Sequence, residues 1–413
     1  MTASPASPSS ALSSAPSYTP ALVVLTTLFF VWGLITSLND ILVPHLKAIF
    51  TLSYLQAMLI QLCFFGAYFI MSLPAGWVVE KLGYRRSIVC GLGGAALGCL
   101  GFYPAAALQS YPLFLAALFV LASGITQLQV AANPCVASLG SEETAASRLN
   151  LSQAFNSLGT TLGPLLGSAL ILTVEGSEGG RSAANEVETV QGPYLGLSLL
   201  LVVIAVAFSR FRLPAQVEAA DSARAPRDGA LWRHRHLVLG AVAIFLYVGA
   251  EVAIGSFLVS FMAQPSIGGL SERTAGRYLA LYWGGAMVGR FVGSALLRKF
   301  DPGRVLAGAA AGAVALLLIT ILVPGPTAMW SALAVGLCNS IMFPTIFALA
   351  VAELGPRTGE GSGVLCMAIV GGAIVPVVMG YFADQIGLSP AFFVPVLCYV
   401  FIIHYGFAGH RVR

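Results

Sequence analysis

"GWVVEKLGYRRSI", residues 76–88, places a glycine four residues ahead of Glu80 and Lys81, a second glycine at 83, and two arginines at 85 and 86, all between long apolar runs. A later stretch, "GSALLRKFDPGRV" at 293–305, repeats the pattern loosely after another apolar run. Two further pairs follow in the same order. "QVAANPCVASLG" (129–140) faces "SIMFPTIFALAVAELG" (340–355), which aligns Pro134 with Pro344, and "SLGTTLGP" (157–164) faces "IVGGAIVP" (369–376), which aligns Pro164 with Pro376. Three matches at separations of 210 to 217 residues describe a chain built twice over.

The units being repeated are membrane spans. Hydrophobic residues make up 57% of the 413 positions and charged residues 9%, and the mean hydropathy is +0.86, a composition that excludes an ordinary soluble domain. Apolar runs of about 20 residues fall at 20–46, 52–79, 87–107, 111–138, 147–173, 193–211, 237–263, 274–297, 304–324, 327–350, 360–384 and 389–408. The expected fold is therefore an all-α membrane protein of twelve transmembrane helices in two pseudo-symmetric six-helix halves. The halves are 20–211 and 237–409, joined by a charged linker at 212–236. Residues 1–19, free of Lys and Arg, are expected to be a disordered tail and not a signal peptide.

Orientation follows the basic residues. With the amino terminus inside, sixteen of them, including Lys81, Arg85, Arg86, Arg148, Arg298 and Arg357, fall in or beside cytoplasmic segments, and four (Lys47, Arg181, Arg273, Arg277) fall outside. Both termini are then cytoplasmic, and the net charge of +4 reflects topology and not a nucleic-acid surface. The seven cysteines lie in spans without C-x-x-C spacing and read as small apolar fillers.

Within the spans the polar residues carry the function. Asp40, preceded by Trp32 and Asn39, lies in the outer half of the first span, and Glu251 lies near the middle of the seventh, its symmetry mate. A carboxylate facing lipid costs about 2.5–3.5 kcal/mol, so both are expected to face a cavity and to handle a cation. Gln129 and Asn133 are one turn apart on the fourth span, and Gln153 and Asn156 share a face of the fifth. Pro134 also frees the carbonyl of Val130 from its helical bond, leaving an acceptor beside the amides. Asn339, Tyr247 and the Tyr282–Trp283 pair extend the set into the second half. Amides donate and accept together, and aromatic faces suit a sugar ring, so a neutral polyol fits better than an anion. Gly76, Glu80, Lys81, Arg85 and Arg86 are expected to gate the cytoplasmic rim, with Arg290 as a latch nearer the cytoplasmic end of the eighth span.

The loop at 76–86 resembles the signature of the major facilitator superfamily, with Glu80 where an aspartate is commoner. "FFVWGLITSLNDILVPHL" (29–46), "QVAANP" (129–134) and "RLNLSQAFNSLGTTLGP" (148–164) resemble its fucose–galactose–glucose:cation symporter family. The resemblance runs through the chain from residue 20. It implies that Asp40 is the carboxylate needed for transport and that Gln153 and Asn156 belong to the sugar site. Fucose-type members carry a glutamate where this chain has Gln129, so Gln129 with Glu251 is similar to the glucose/galactose branch. The implied activity is uptake of a neutral monosaccharide with a co-transported proton or sodium across a bacterial inner membrane, by a monomer with no cofactor or bound metal. Fucose or N-acetylglucosamine transport and drug/proton antiport are the alternatives. A membrane enzyme is disfavoured because the spans hold neither H-E-x-x-H nor G-x-S-x-G.

Overall fold

The structure, a computed structural model, describes residues 18–49, 54–172, 191–214, 217 and 231–412, without the side chains of 38–49, 54–58, 164–172, 191 and 193. The expected tail, apart from Tyr18 and Thr19, and most of the expected linker lie outside the described residues. So do the side chains of Asn39 and Asp40, whose backbone is helical.

Every described regular element is helical, as a chain this apolar requires. In a bilayer the backbone finds no water, and a helix satisfies its amides and carbonyls within one segment. The first half comprises α1 (Thr19–Ile49), α2 (Tyr54–Ala107), α3 (Tyr111–Ala137), α4 (Ala145–Leu172) and α5 (Gln191–Arg210). The second half begins with α6 (Arg235–Ala263), α7 (Glu272–Leu296), α8 (Pro302–Leu322), α9 (Pro326–Asn339) and α10 (Met342–Val351). It continues through α11 (Thr358–Met367), α12 (Gly371–Ile386), α13 (Leu388–Ala391) and α14 (Phe393–His404).

Several boundaries differ from the sequence expectation, among them the eleventh and twelfth spans, each divided into two helices. The second and third spans form one continuous stretch that turns at Gly83, where φ is 79° and ψ is 165°; a side chain would be strained there, so the glycine makes the corner. The tenth span is broken between Asn339 and Met342. Pro344 has no N–H to offer the carbonyl four residues earlier, and the ladder parts at that place.

Inside the first half α2 packs on α3 and α5, and α1 packs on α4. Inside the second, α6 packs on α12 and α14, and α8 packs on α9 and α14. The halves meet through α11 on α2 and α3, and through α4 on α7 and α10. Several of these contacts lie toward the end that carries Glu80–Arg86. Gly76 explains one of them. A Cβ there would stand 3.0 Å from the Gly359 carbonyl oxygen and 3.3 Å from the Glu360 Cα, so α2 and α11 touch backbone to backbone. The junction of α4 and α7 is polar: Ser147 donates to the Ser294 carbonyl at 2.6 Å, and Asn150 Nδ2 donates to the Arg290 carbonyl at 2.7 Å.

Arg148, valued in the sequence only for its charge, is buried at this end. Its guanidinium donates to the Ala137 carbonyl at 2.8 Å and to the Thr144 hydroxyl, capping the open carbonyls at the end of α3. Of the expected gate, Lys81 lies over the Trp77 ring with Nζ 3.4 Å from its centroid, and Arg86 is exposed. The cysteines are all free, and Cys90 is exposed, unlike the buried fillers Cys99, Cys135, Cys366 and Cys398.

Candidate functional site

A cavity of about 330 Å³ lies between the halves, lined by seven residues from each. The first half contributes Trp32, Thr36, Phe64, Tyr68, Gln129, Gln153 and Asn156; the second contributes Tyr247, Val248, Glu251, Trp283, Arg290, Phe343 and Ile369. This volume is at the small end of the range for small-molecule sites, about 300–1,000 Å³. Six of the lining residues are aromatic, which gives a ring-shaped ligand apolar faces to rest on.

The amides of the first half are organised by α3 and α4. Gln153 Nε2 donates to Asn133 Oδ1 over 3.4 Å, and Asn156 Nδ2 donates to the Phe29 carbonyl at 2.9 Å. Gln129 is 4% exposed and Asn133 0%. Among the described residues, Gln129 Oε1 and Asn133 Nδ2 have no hydrogen-bond partner. One is an acceptor and the other a donor. Leaving such groups unmatched costs about 1–3 kcal/mol each, and Gln129, which lines the cavity, is placed to take a donor such as a hydroxyl. Asn133 itself stands one layer behind the lining, next to Gln153.

The second half corrects two expectations. Tyr282 and Asn339 do not reach the cavity; both are 0% exposed and serve each other. Asn339 Nδ2 donates to the Tyr282 hydroxyl at 2.8 Å, Tyr399 donates to Asn339 Oδ1 at 2.6 Å, and Tyr247 donates to the Asn339 backbone carbonyl at 3.1 Å. Tyr282 in turn donates to the Glu251 backbone carbonyl at 3.2 Å. The cage holds the broken helix together where α9 ends, and its neighbour Trp283 takes the place at the cavity wall. The physical reason is the break itself: the Asn339 carbonyl at the break takes its partner from Tyr247, and Tyr282 and Tyr399 hold the Asn339 side chain beside it.

The carbonyl freed by Pro134 is also spoken for. Ser362, on α11 of the other half, donates to the Val130 oxygen at 2.7 Å, so this acceptor belongs to the junction and not to a ligand. Arg290, expected as a latch, lines the cavity. Its Nε donates to the Ser340 carbonyl at 3.1 Å, and its Nη1 donates to the Ser157 hydroxyl across the halves.

Glu251 faces the same cavity on α6 and forms no ion pair among the described residues. No cluster of three or more His, Cys, Asp or Glu that could hold a metal occurs among them. Thr36, Phe64, Tyr68 and Phe343 line the cavity although the sequence reading passed over them. Tyr68, a phenol in the middle of a span, carried the one usable signal.

The chain matches the Major Facilitator Superfamily over residues 23–369. It belongs to that superfamily. Among its relatives in the superfamily, the glucose/galactose transporter of Brucella abortus (strain 2308) is 55% identical over 399 residues, covering 97% of this chain and 96% of that protein. The L-fucose-proton symporter of Escherichia coli (strain K12) is 36% identical over 407 residues, covering 94% and 92%. A crystal structure of the Major Facilitator Superfamily transporter FucP in the outward conformation superposes with a TM-score of 0.87 at 35% identity, covering 94% of this chain and 98% of that one. The superfamily is one of transporters, not enzymes, so the two-half architecture and the cavity between the halves are those of a membrane carrier.

Proposed function

We propose that this chain takes up a neutral hexose such as glucose or galactose together with a cation, by alternating access. The carrying observation is the amide of Gln129 in the cavity wall, whose Oε1 has no partner among the described residues: a sugar hydroxyl can donate to it. The name borne by the relative in Brucella abortus, 55% identical, supports the glucose/galactose branch. The name of the Escherichia coli relative supports a proton as the cation.

The chain crosses the membrane twelve times in this reading. Eight helical stretches among the described residues are long and apolar enough to span. The stretch Leu59–Ala107 has 49 residues, twice a span's length, and α4, α5 and α7 supply the remaining crossings. Both termini and the linker at 212–236 are cytoplasmic, because the closed end carries Lys81, Arg85, Arg86, Arg148 and Arg357. The cavity is then reached from outside. The carrier works as a monomer in the inner membrane of a bacterium.

Asp40 and Glu251 share the cation, while Trp32, Asn39, Gln129, Gln153 and Asn156 hold the sugar. Cation binding matters because the charge of a cavity carboxylate resists the sealing of the site from water; neutralising it lowers that barrier when sugar is also bound. The rim loop, with Gly76, Glu80, Lys81, Arg85 and Arg86, then separates from α11 as the cytoplasmic side opens. The test is uptake of glucose, galactose, fucose and N-acetylglucosamine into proteoliposomes under imposed proton or sodium gradients. Uphill accumulation of glucose or galactose is expected, and Asp40→Asn is expected to abolish it. No accumulation of any of the four under either gradient would overturn the reading.

A further inference from the structure

Helices α3 and α10 each contain a proline at the matching place in their half, and each proline leaves one carbonyl without its helical amide: Val130 for Pro134 and Ser340 for Pro344. Both carbonyls have found a side chain from the second half. Ser362 Oγ donates to the Val130 oxygen at 2.7 Å, a bond that joins residues 232 positions apart across the two halves. Arg290 Nε donates to the Ser340 oxygen at 3.1 Å, and the same guanidinium reaches Ser157 on α4 of the first half.

We propose that the proline-freed Val130 carbonyl is a latch point, pinned across the halves by Ser362 while the end bearing Glu80–Arg86 is closed, and that Arg290, seated on the freed Ser340 carbonyl of its own half, reinforces the latch through its bond to Ser157. The inference rests on the alternating-access reading and adds to it the groups that set the balance between its states. The argument is a difference between the two states. In the closed state Val130 and Ser362 are buried, at 0% exposure each, so no water replaces the bond and its loss leaves an unmatched carbonyl. Once the halves part at that end, water enters and solvates the carbonyl, and the serine contributes little. An interaction made in one state and dispensable in the other shifts the population by its own strength.

Proline is what makes the pin available. With an ordinary residue at 134, the Val130 carbonyl would accept from the amide four residues on and have less need of a partner across the interface. Arg290 has a double role: it caps the break between α9 and α10 and ties that break to α4, so the hinge of the second half is fastened to the first half at the cavity floor.

The test uses the full chain in lipid nanodiscs without sugar, with Cys63→Ala, Cys90→Ala and Cys338→Ala as background. Spin labels at the exposed positions Leu82 and Phe300 report the separation of the closed end as a distance distribution. Ser362→Ala is expected to raise the widely separated population relative to the narrow one by about two- to tenfold. Pro134→Ala, which gives Val130 an amide in its own helix, is expected to act in the same direction. The double variant of Ser362→Ala with Pro134→Ala is expected to shift no further than the larger single variant, because both remove one bond, and Ser362→Thr is expected to restore the narrow population.

An unchanged distribution for Ser362→Ala, or effects that multiply in the double variant, would overturn the latch. Sugar binding by the same samples, measured separately, distinguishes this from failure of the functional reading. A chain that shifts its distances yet binds none of the four sugars keeps the latch and loses the substrate.

Discussion

Gln129 and Asn339 stand at matching places, each five residues ahead of the proline in its half, and both are amides on a pore-facing span. Their fates differ. Gln129 lines the cavity with Oε1 unmatched among the described residues, whereas Asn339 is enclosed by Tyr282 and Tyr399 with its side-chain oxygen and nitrogen both engaged. An amide held by protein groups on both its atoms has nothing left for a ligand. An amide with an idle acceptor beside a cavity is built to meet one. The contrast follows from the neighbouring backbone: α3 stays helical through Pro134, but the tenth span comes apart at Pro344 and draws local polar groups into repairing it.

The comparison can be broken most forcefully at the cage. Asn339→Ala leaves the Tyr282 hydroxyl without its donor and the Tyr399 hydroxyl without its acceptor, each worth about 1–3 kcal/mol when buried. The variant is expected to lower thermal stability in detergent markedly, while the protein that does fold keeps sugar affinity within about twofold, since Asn339 does not touch the cavity. A tenfold loss of affinity with unchanged stability would reverse the assignment.

Gln129→Ala is expected to do the opposite. Removing one hydrogen bond to an uncharged ligand group costs about 0.5–1.5 kcal/mol, so hexose binding should weaken by up to about tenfold in a titration, with the melting temperature unchanged. Gln129→Glu sharpens the point by replacing the amide's donor with an ionisable carboxyl. Uptake should become newly pH-sensitive, or preference should move toward fucose, in competition assays with unlabelled glucose, galactose, fucose and N-acetylglucosamine. Identical competition profiles for wild type and both variants would remove Gln129 from the sugar site.

Tyr399→Phe gives the smallest effect. It deletes one hydroxyl and leaves Asn339 Oδ1 without its donor at 2.6 Å, with no change at the cavity wall. A stability loss of about 1 kcal/mol is expected, with transport rates near those of the wild type at a temperature where both proteins are folded.

Much of this was legible in the chain alone. Hydrophobicity and the need to satisfy backbone groups inside a bilayer leave helices as the outcome for a sequence of this kind, and the spacing of Pro134, Pro344, Pro164 and Pro376 disclosed the two halves. Glu251, Gln153, Asn156, Trp32 and Gln129 were also readable as cavity residues, because polar or amphipathic groups within apolar spans have few other places to go.

What the sequence left open was partnership. Asn339 and Gln129 carry the same functional group on matching spans, and nothing in their spacing tells that three tyrosines from α6, α7 and α14 converge on one of them. Ser362 is an unremarked serine among glycines in "GEGSGVLC" until α11 is laid against α3, where its hydroxyl meets a carbonyl 232 positions earlier in the chain. Composition and periodicity are local properties, and they determine which segments cross the membrane. Whether a buried donor or acceptor is already matched depends on what the other helices bring within about 3 Å, and that is decided only when the two halves pack together.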